Sequence, residues 1–111
     1  MLIKDLVKKI DGELIAGEAA ADMSDVLALT EGDTLLITGT VSLQVMRVAE
    51  ILGITGIIFI RGKIPSEDVM NVAKKRLSIP IIVTKKTMFE VSGILYSNGI
   101  RPCTNRPATE V

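Results

Sequence analysis

Gly56-Ile57-Ile58-Phe59-Ile60, followed by Arg61-Gly62-Lys63, is the stretch whose reading decides the fold. The apolar run is too short for a buried helix and is bounded by glycines, so it reads as a buried strand. Two similar runs flank it, Thr34-Leu35-Leu36-Ile37 and Ile79-Pro80-Ile81-Ile82-Val83. They lead into the loops Thr38-Gly39-Thr40-Val41-Ser42 and Thr84-Lys85-Lys86-Thr87. A helical pattern follows each of the three loops. This order predicts a βαβαβ unit with parallel strands. Parallel strands release their loops at one edge of the sheet, where open α/β sheets bind ligands.

Outward from this unit, Leu2, Ile3, Leu6, Val7 and Ile10 have helical spacing and predict an amphipathic first helix that Asp11-Gly12 ends. Glu13-Leu14-Ile15-Ala16 reads as a short strand ended by Gly17. Ser24 is a good N-cap for a short helix over Asp25 to Leu29, and Glu31-Gly32-Asp33 turns the chain into the next strand. The helix from about Ser42 to Leu52 stops at Gly53, with Val45, Met46, Ala49 and Leu52 on one face.

After Ile64-Pro65, Ser66 caps a helix whose buried stripe is Val69, Met70, Ala73 and Leu77. Glu67 and Asp68 complement its dipole, and Lys74, Lys75 and Arg76 crowd its end. Thr87-Met88-Phe89-Glu90 fits a capping box for a last helix that stops at Asn98-Gly99. Pro80 leaves two readings of its run: a strand that begins at Ile81, or an edge strand. The expected fold class is therefore α/β, a three-layer Rossmann-like domain with a mainly parallel sheet of about four strands. It covers residues 1–100, and residues 101–111, with two prolines and no periodicity, form an irregular C-terminal tail.

The chain has 111 residues, 48% of them hydrophobic, which suits one domain with a core that needs no staples. A single cysteine, Cys103, precludes an internal disulfide, and with no histidine no metal site is expected. Lys4, Asp5, Lys8 and Lys9 near the start are unlike a signal peptide, and no run approaches a membrane span, so the expectation is a cytoplasmic protein without membrane contact. The formal net charge is zero. Residues 1–55 hold nine acids and four bases, and residues 56–111 hold four acids and nine bases. A balanced total, with two Phe, one Tyr and no Trp, argues against nucleic acid as a partner. The basic half suits an acidic protein partner or head-to-tail contacts, or is simply solvated.

The three loops combine hydroxyls, glycines and cations and contain no carboxylate. Thr38, Gly39, Thr40 and Ser42 are the leading candidates for ligand binding. Gly39 permits close backbone approach, and the following helix aims its free amides at whatever lies there. The spacing is neither a P-loop nor G-x-G-x-x-G. The other reading is a tight turn in which Ser42 or Thr40 caps the helix. Arg61 and Gly62 follow the next strand, and Arg61 can offer a guanidinium fork to a carboxylate or phosphate. Thr84, Lys85 and Thr87 complete the set. Lys85 and Lys86 oppose the dipole of the helix they precede, which favours a nearby anion unless they reach out to solvent.

No catalytic residue is expected. Cys103 lies near Arg101 and Arg106 but has no histidine base, and Glu90 is explained by capping. Met23, Met46, Met70 and Met88 read as flexible core filler.

The order of these pieces resembles the DRTGG domain family. The matching segments are Leu14-Ile15-Ala16-Gly17-Glu18, Gly32-Asp33-Thr34-Leu35-Leu36-Ile37-Thr38-Gly39, Gly53-Ile54-Thr55-Gly56-Ile57-Ile58 and Ile79-Pro80-Ile81-Ile82-Val83-Thr84. Phe89 and Leu95-Tyr96-Ser97-Asn98-Gly99-Ile100 fit its closing helix. The family resembles the N-terminal domain of HPr kinase/phosphorylase and occurs in phosphotransacetylases and, beside CBS domains, in some family II pyrophosphatases. This chain is most similar to stand-alone members found near iron-only hydrogenase subunits. It departs from the family pattern between Ala16-Gly17-Glu18 and Met23-Ser24-Asp25, where a few alanines replace a usual strand. The resemblance implies a regulatory or interaction role, dimerisation and no kinase chemistry.

The expected function is thus a non-catalytic regulatory or ligand-sensing module. It binds a small anionic ligand, such as a nucleotide or another phosphate-bearing molecule, works as a homodimer and needs no cofactor. The rival readings are a structural accessory protein of a redox, hydrogenase-type complex and a small enzyme using Cys103 or Lys85.

Overall fold

In a computed structural model, the residues described are 3–17, 34–77 and 79–100. Helix α1 (Ile3–Lys9) leads through Asp11 into strand β1 (Gly12–Ala16). Strand β2 (Leu35–Thr38), helix α2 (Leu43–Leu52) and strand β3 (Gly56–Phe59) follow. Helix α3 (Glu67–Val72) continues as a π-helical stretch over Ala73–Leu77. Strand β4 (Ile81–Thr84) and helix α4 (Met88–Ser97) complete the described elements. The expected helix behind Ser24, the turn at Glu31-Gly32-Asp33, Met23, the alanine-rich departure, Cys103 and the tail lie outside the described residues.

The sheet order is β1-β4-β3-β2. Strands β2, β3 and β4 are parallel, with Ile37 opposite Ile58 and Ile58 opposite Ile82. Strand β1 runs antiparallel to β4, pairing Gly12 with Thr84 and bulging between Leu14 and Ala16. The sheet is therefore mixed rather than purely parallel. The reason is the short turn after α1, which starts β1 at the edge where β4 ends. The Thr84 hydroxyl pins that arrangement by donating to the Ile10 carbonyl at 2.7 Å.

Alternation along the strands builds two cores. Ile57, Phe59 and Ile81 face Met46 and Ala49 of α2 and Val69 of α3. Ile58, Ile60 and Ile82 face Ile3 and Leu6 of α1 and Val91 and Leu95 of α4. The helices thus form outer layers on both faces. Each fully buried Ile or Phe contributes about 1.5–3 kcal/mol relative to exposure. Pro80 sits just before β4, an inner strand that begins at Ile81, so the edge-strand alternative falls away. The Pro80 carbonyl accepts from the Ile57 amide at 3.0 Å, and the lost donor is not needed.

Helix α2 starts on Ser42, whose Oγ accepts from the Val45 amide at 3.3 Å, and ends in a Schellman turn at Gly53 (φ 66°). The Ile54 amide donates back to Ala49 at 2.9 Å. This turn folds Ile54 into the core and leaves Leu52 67% exposed, so Leu52 is not part of the buried face expected of it. Met46 is buried and Met70 half-buried as filler, whereas Met88 is exposed at the first position of α4.

Candidate functional site

The ends of β2, β3 and β4 lie at one edge, and hydrogen bonds stitch their loops together. Thr38 closes a small turn: its Oγ1 accepts from the Thr40 amide at 3.0 Å, and its carbonyl accepts from the Ile60 amide at 3.1 Å. After β3, Arg61 (φ 56°) and Gly62 (φ 69°) occupy the two central positions of a tight turn closed by Lys63 N–H on the Ile60 carbonyl at 3.2 Å. Two consecutive positive φ values make this a type I′-like turn, which favours Gly, Asn or Asp at both positions. Arginine there carries strain of about 1–2 kcal/mol. The turn is held by neighbours: Arg61 N–H donates to the Lys86 carbonyl and Gly62 N–H to the Thr84 carbonyl, each at 2.9 Å.

The Arg61 side chain reaches the β2 loop. A Cβ placed on Gly39 would lie 2.7 Å from one terminal guanidinium nitrogen, so the absence of a side chain at Gly39 is what lets the guanidinium rest there. The Lys85 stem passes beside the same turn, with its Cγ at ordinary contact distance (3.8 Å) from a Cβ built on Gly62. Both cations are exposed. Thr38, Gly39, Thr40, Arg61, Gly62 and Lys85 are therefore brought together.

The other candidates serve the scaffold. The Ser42 hydroxyl caps α2. The buried Thr84 hydroxyl spans Ile10 and the Lys86 amide, which donates to it at 3.2 Å. Thr87 forms a capping box with Glu90: the Thr87 amide donates to the Glu90 carboxylate at 3.2 Å and the Glu90 amide to the Thr87 hydroxyl at 3.3 Å. Lys86, which looked misplaced beside a helix start, has its Nζ 3.9 Å from a Glu90 carboxylate oxygen. Hydrogen bonds from the Thr87 backbone and hydroxyl, then the Lys86 charge, hold the Glu90 carboxyl below its usual range.

Acid at this edge is unevenly placed. The loops carry none, but antiparallel β1 brings Asp11 (φ 52°) there, next to Gly12 opposite Thr84. Helix α3 starts with Glu67 and Asp68, and α4 carries Glu90 in its first turn. Helix α2 has no acid in its first turn. Among the described residues, the half of the edge built by β2, α2 and the Arg61 turn is thus where an anion meets least opposition.

From that half, an open groove of about 320 Å³ is lined by Leu36, Thr38, Thr40, Ser42, Gln44, Val45 and Val48. Its lining combines the hydroxyls of Thr38, Thr40 and Ser42 with the aliphatic side chains of Leu36, Val45 and Val48. Leu36, Gln44, Val45 and Val48 were not legible as site residues, Val45 having been expected on the buried face of its helix. Their exposure depends on β2 ending the described sheet, although Gln44 and Val48 do share a helix flank at i, i+4 spacing. Among the described residues, no cluster of His, Cys, Asp or Glu could hold a metal ion. No helix among them is long and apolar enough to cross a membrane.

Fold and edge together define an open α/β domain with a mixed four-stranded sheet. No family model matches the chain, and no curated protein matches it. Among solved structures, the CBS and DRTGG domains of the regulatory region of Clostridium perfringens pyrophosphatase, complexed with the activator diadenosine tetraphosphate, are similar. The match has 20% sequence identity and a TM-score of 0.58, over 83% of this chain and 44% of that one. At that identity the likeness is one of fold: the chain has a DRTGG-related α/β fold. It spans less than half the length of the structure it matches.

Proposed function

We propose that this protein is a non-catalytic regulatory module that senses a small, phosphate-bearing anion at the β2–α2 edge. The observation that carries the reading is Arg61, which occupies a strained backbone conformation while its guanidinium lies over Gly39, beside a helix start without acid of its own. In this reading the α2 amides and the Thr38 and Thr40 hydroxyls position the anion, Arg61 and Lys85 attract it, and the aliphatic wall of the groove receives its apolar part. The nucleotide activator carried by the similar regulatory region supports a ligand of this kind. The proposal extends to residues 1–100 as a DRTGG-like domain of the stand-alone, hydrogenase-associated type, working as a cytoplasmic homodimer without cofactor or enzymatic activity.

A thermal-shift screen with nucleotides, acyl phosphates and coenzyme A tests it, because binding to the folded state raises Tm by mass action. A specific rise that Arg61→Ala abolishes is the expected result. No rise with any of them, or a rise unchanged by Arg61→Ala, refutes the site. Transfer of label from ATP to a candidate protein, lost on mutation of this chain, refutes the non-enzymatic reading.

A further inference from the structure

The groove beside β2 changes character along its length. Its walls are strand β2 and helix α2, and α2 runs back against β2 because it returns the chain to the start of the parallel strand β3. On the strand wall, Thr38 stands at the loop end, and Leu36, two residues back, shares its face. On the helix wall, Ser42 and Gln44 stand at the loop end, and Val48 lies about 9 Å further along the axis from Ser42. Both walls therefore pass from hydroxyl and amide groups to aliphatic ones in the same direction, away from the loops. Val48 is 41% exposed and Leu36 half-buried, so the aliphatic end is accessible among the described residues.

We infer that this groove takes a phosphate joined to a short aliphatic chain, as in an alkyl or acyl phosphate, in preference to a nucleotide. The inference rests on the anion site proposed above and names its ligand class. The phosphate lies at the Thr38–Thr40 end, beside the guanidinium over Gly39 and a helix start without acid. The chain then follows Val45, Leu36 and Val48 away from the loops.

A nucleoside fits this lining poorly. The aromatic residues of the chain are Phe59, Phe89 and Tyr96. Phe59 is buried in the core, and the other two belong to α4, which packs on the opposite face of the sheet from α2. None of them can stack on a base in the groove. Leu36 and Val48 offer no side-chain donor or acceptor, so the ring nitrogens and exocyclic groups of a base seated there lose water without gaining a partner. An aliphatic chain has no such groups to satisfy. Size favours it too. A volume of about 320 Å³ is near the lower end of the range of about 300–1,000 Å³ for small-molecule sites, and the phosphate takes its share at the polar end. The remainder suits a few carbons better than a ribose and a base.

Titration of the isotope-labelled full chain, followed by amide chemical shifts, tests the inference. The probes are inorganic phosphate, the alkyl phosphates from methyl to hexyl, butyryl phosphate and AMP. Affinity should rise roughly two- to fourfold per methylene along the alkyl series and level off once the chain outgrows the groove. Butyl phosphate should bind more tightly than AMP, and butyryl phosphate at least as tightly as butyl phosphate if the natural ligand is an acyl phosphate, less tightly if it is an alkyl one. Val48→Ser, at a half-exposed helix position, should flatten the series. Arg61→Ala should lower every member by a common factor and keep its slope. AMP binding as tightly as butyl phosphate overturns the ligand class and leaves the anion site standing. A flat series that Arg61→Ala still weakens does the same, and a rising series indifferent to Val48→Ser places the chain elsewhere and also overturns it. No binding of any probe overturns the anion site itself.

Discussion

The edge where the parallel strands end has two halves that look alike in sequence and differ in structure. Each sets cations beside the start of a helix, which ordinarily opposes the helix dipole. At the β4–α4 half the conflict is resolved locally. Glu90 closes a capping box with Thr87 and also faces Lys86, so the cation has its anion within the same turn. At the β2–α2 half the first turn has no acid, and the cation comes from a different loop, held over Gly39 by a turn unfavourable to arginine. A cation near a helix start is thus evidence for a ligand only where the fold supplies no acid of its own.

The sharpest way to break this contrast is to remove one cation from each half once a ligand is in hand. Arg61→Ala should weaken binding by about 1.5–3 kcal/mol, roughly ten- to a hundredfold, whereas Lys86→Ala should leave it nearly unchanged. Titration calorimetry on the two variants decides it, and equal losses erase the distinction. Thr84→Val comes next, and it probes scaffold rather than site. It leaves the Ile10 carbonyl and the Lys86 amide without their buried partner, which should cost about 1–3 kcal/mol in denaturant unfolding.

Thr87→Ala should cost about 1 kcal/mol by uncapping α4 while sparing ligand affinity. The same half carries one acid-sensitive contact. The folded-state pKa of Glu90 lies below its unfolded value. Its stabilising effect is therefore fully present above the unfolded pKa and is lost as pH falls through the folded one. A pH series of unfolding curves should show that loss in the wild type and not in Glu90→Gln. The smallest effect belongs to Gly39→Ala. Its new Cβ displaces the flexible end of Arg61, so affinity should fall by less than in Arg61→Ala, with Tm almost unmoved.

Much of this molecule is local and so can be read along the chain. The capping box at Thr87 and Glu90, the N-caps at Ser42 and Ser66 and the left-handed stop at Gly53 each depend on residues within one helical turn. The alternation in Ile57-Ile58-Phe59-Ile60 needs only the two-residue period of a strand to divide the core between two faces. The three loops at one edge follow from parallel strands and were legible for the same reason. Tertiary structure decided the rest. Strand order put β4 inside the sheet despite Pro80, and the direction of β1 brought Asp11 to the edge where the parallel strands end. A Schellman turn exchanged Ile54 for Leu52 in the core. The meeting of Arg61 with Gly39, and the groove beside β2, required loops far apart in sequence to be neighbours. Local propensity and periodicity carry no information about which distant segments pair, because that choice is made by packing whole faces against one another.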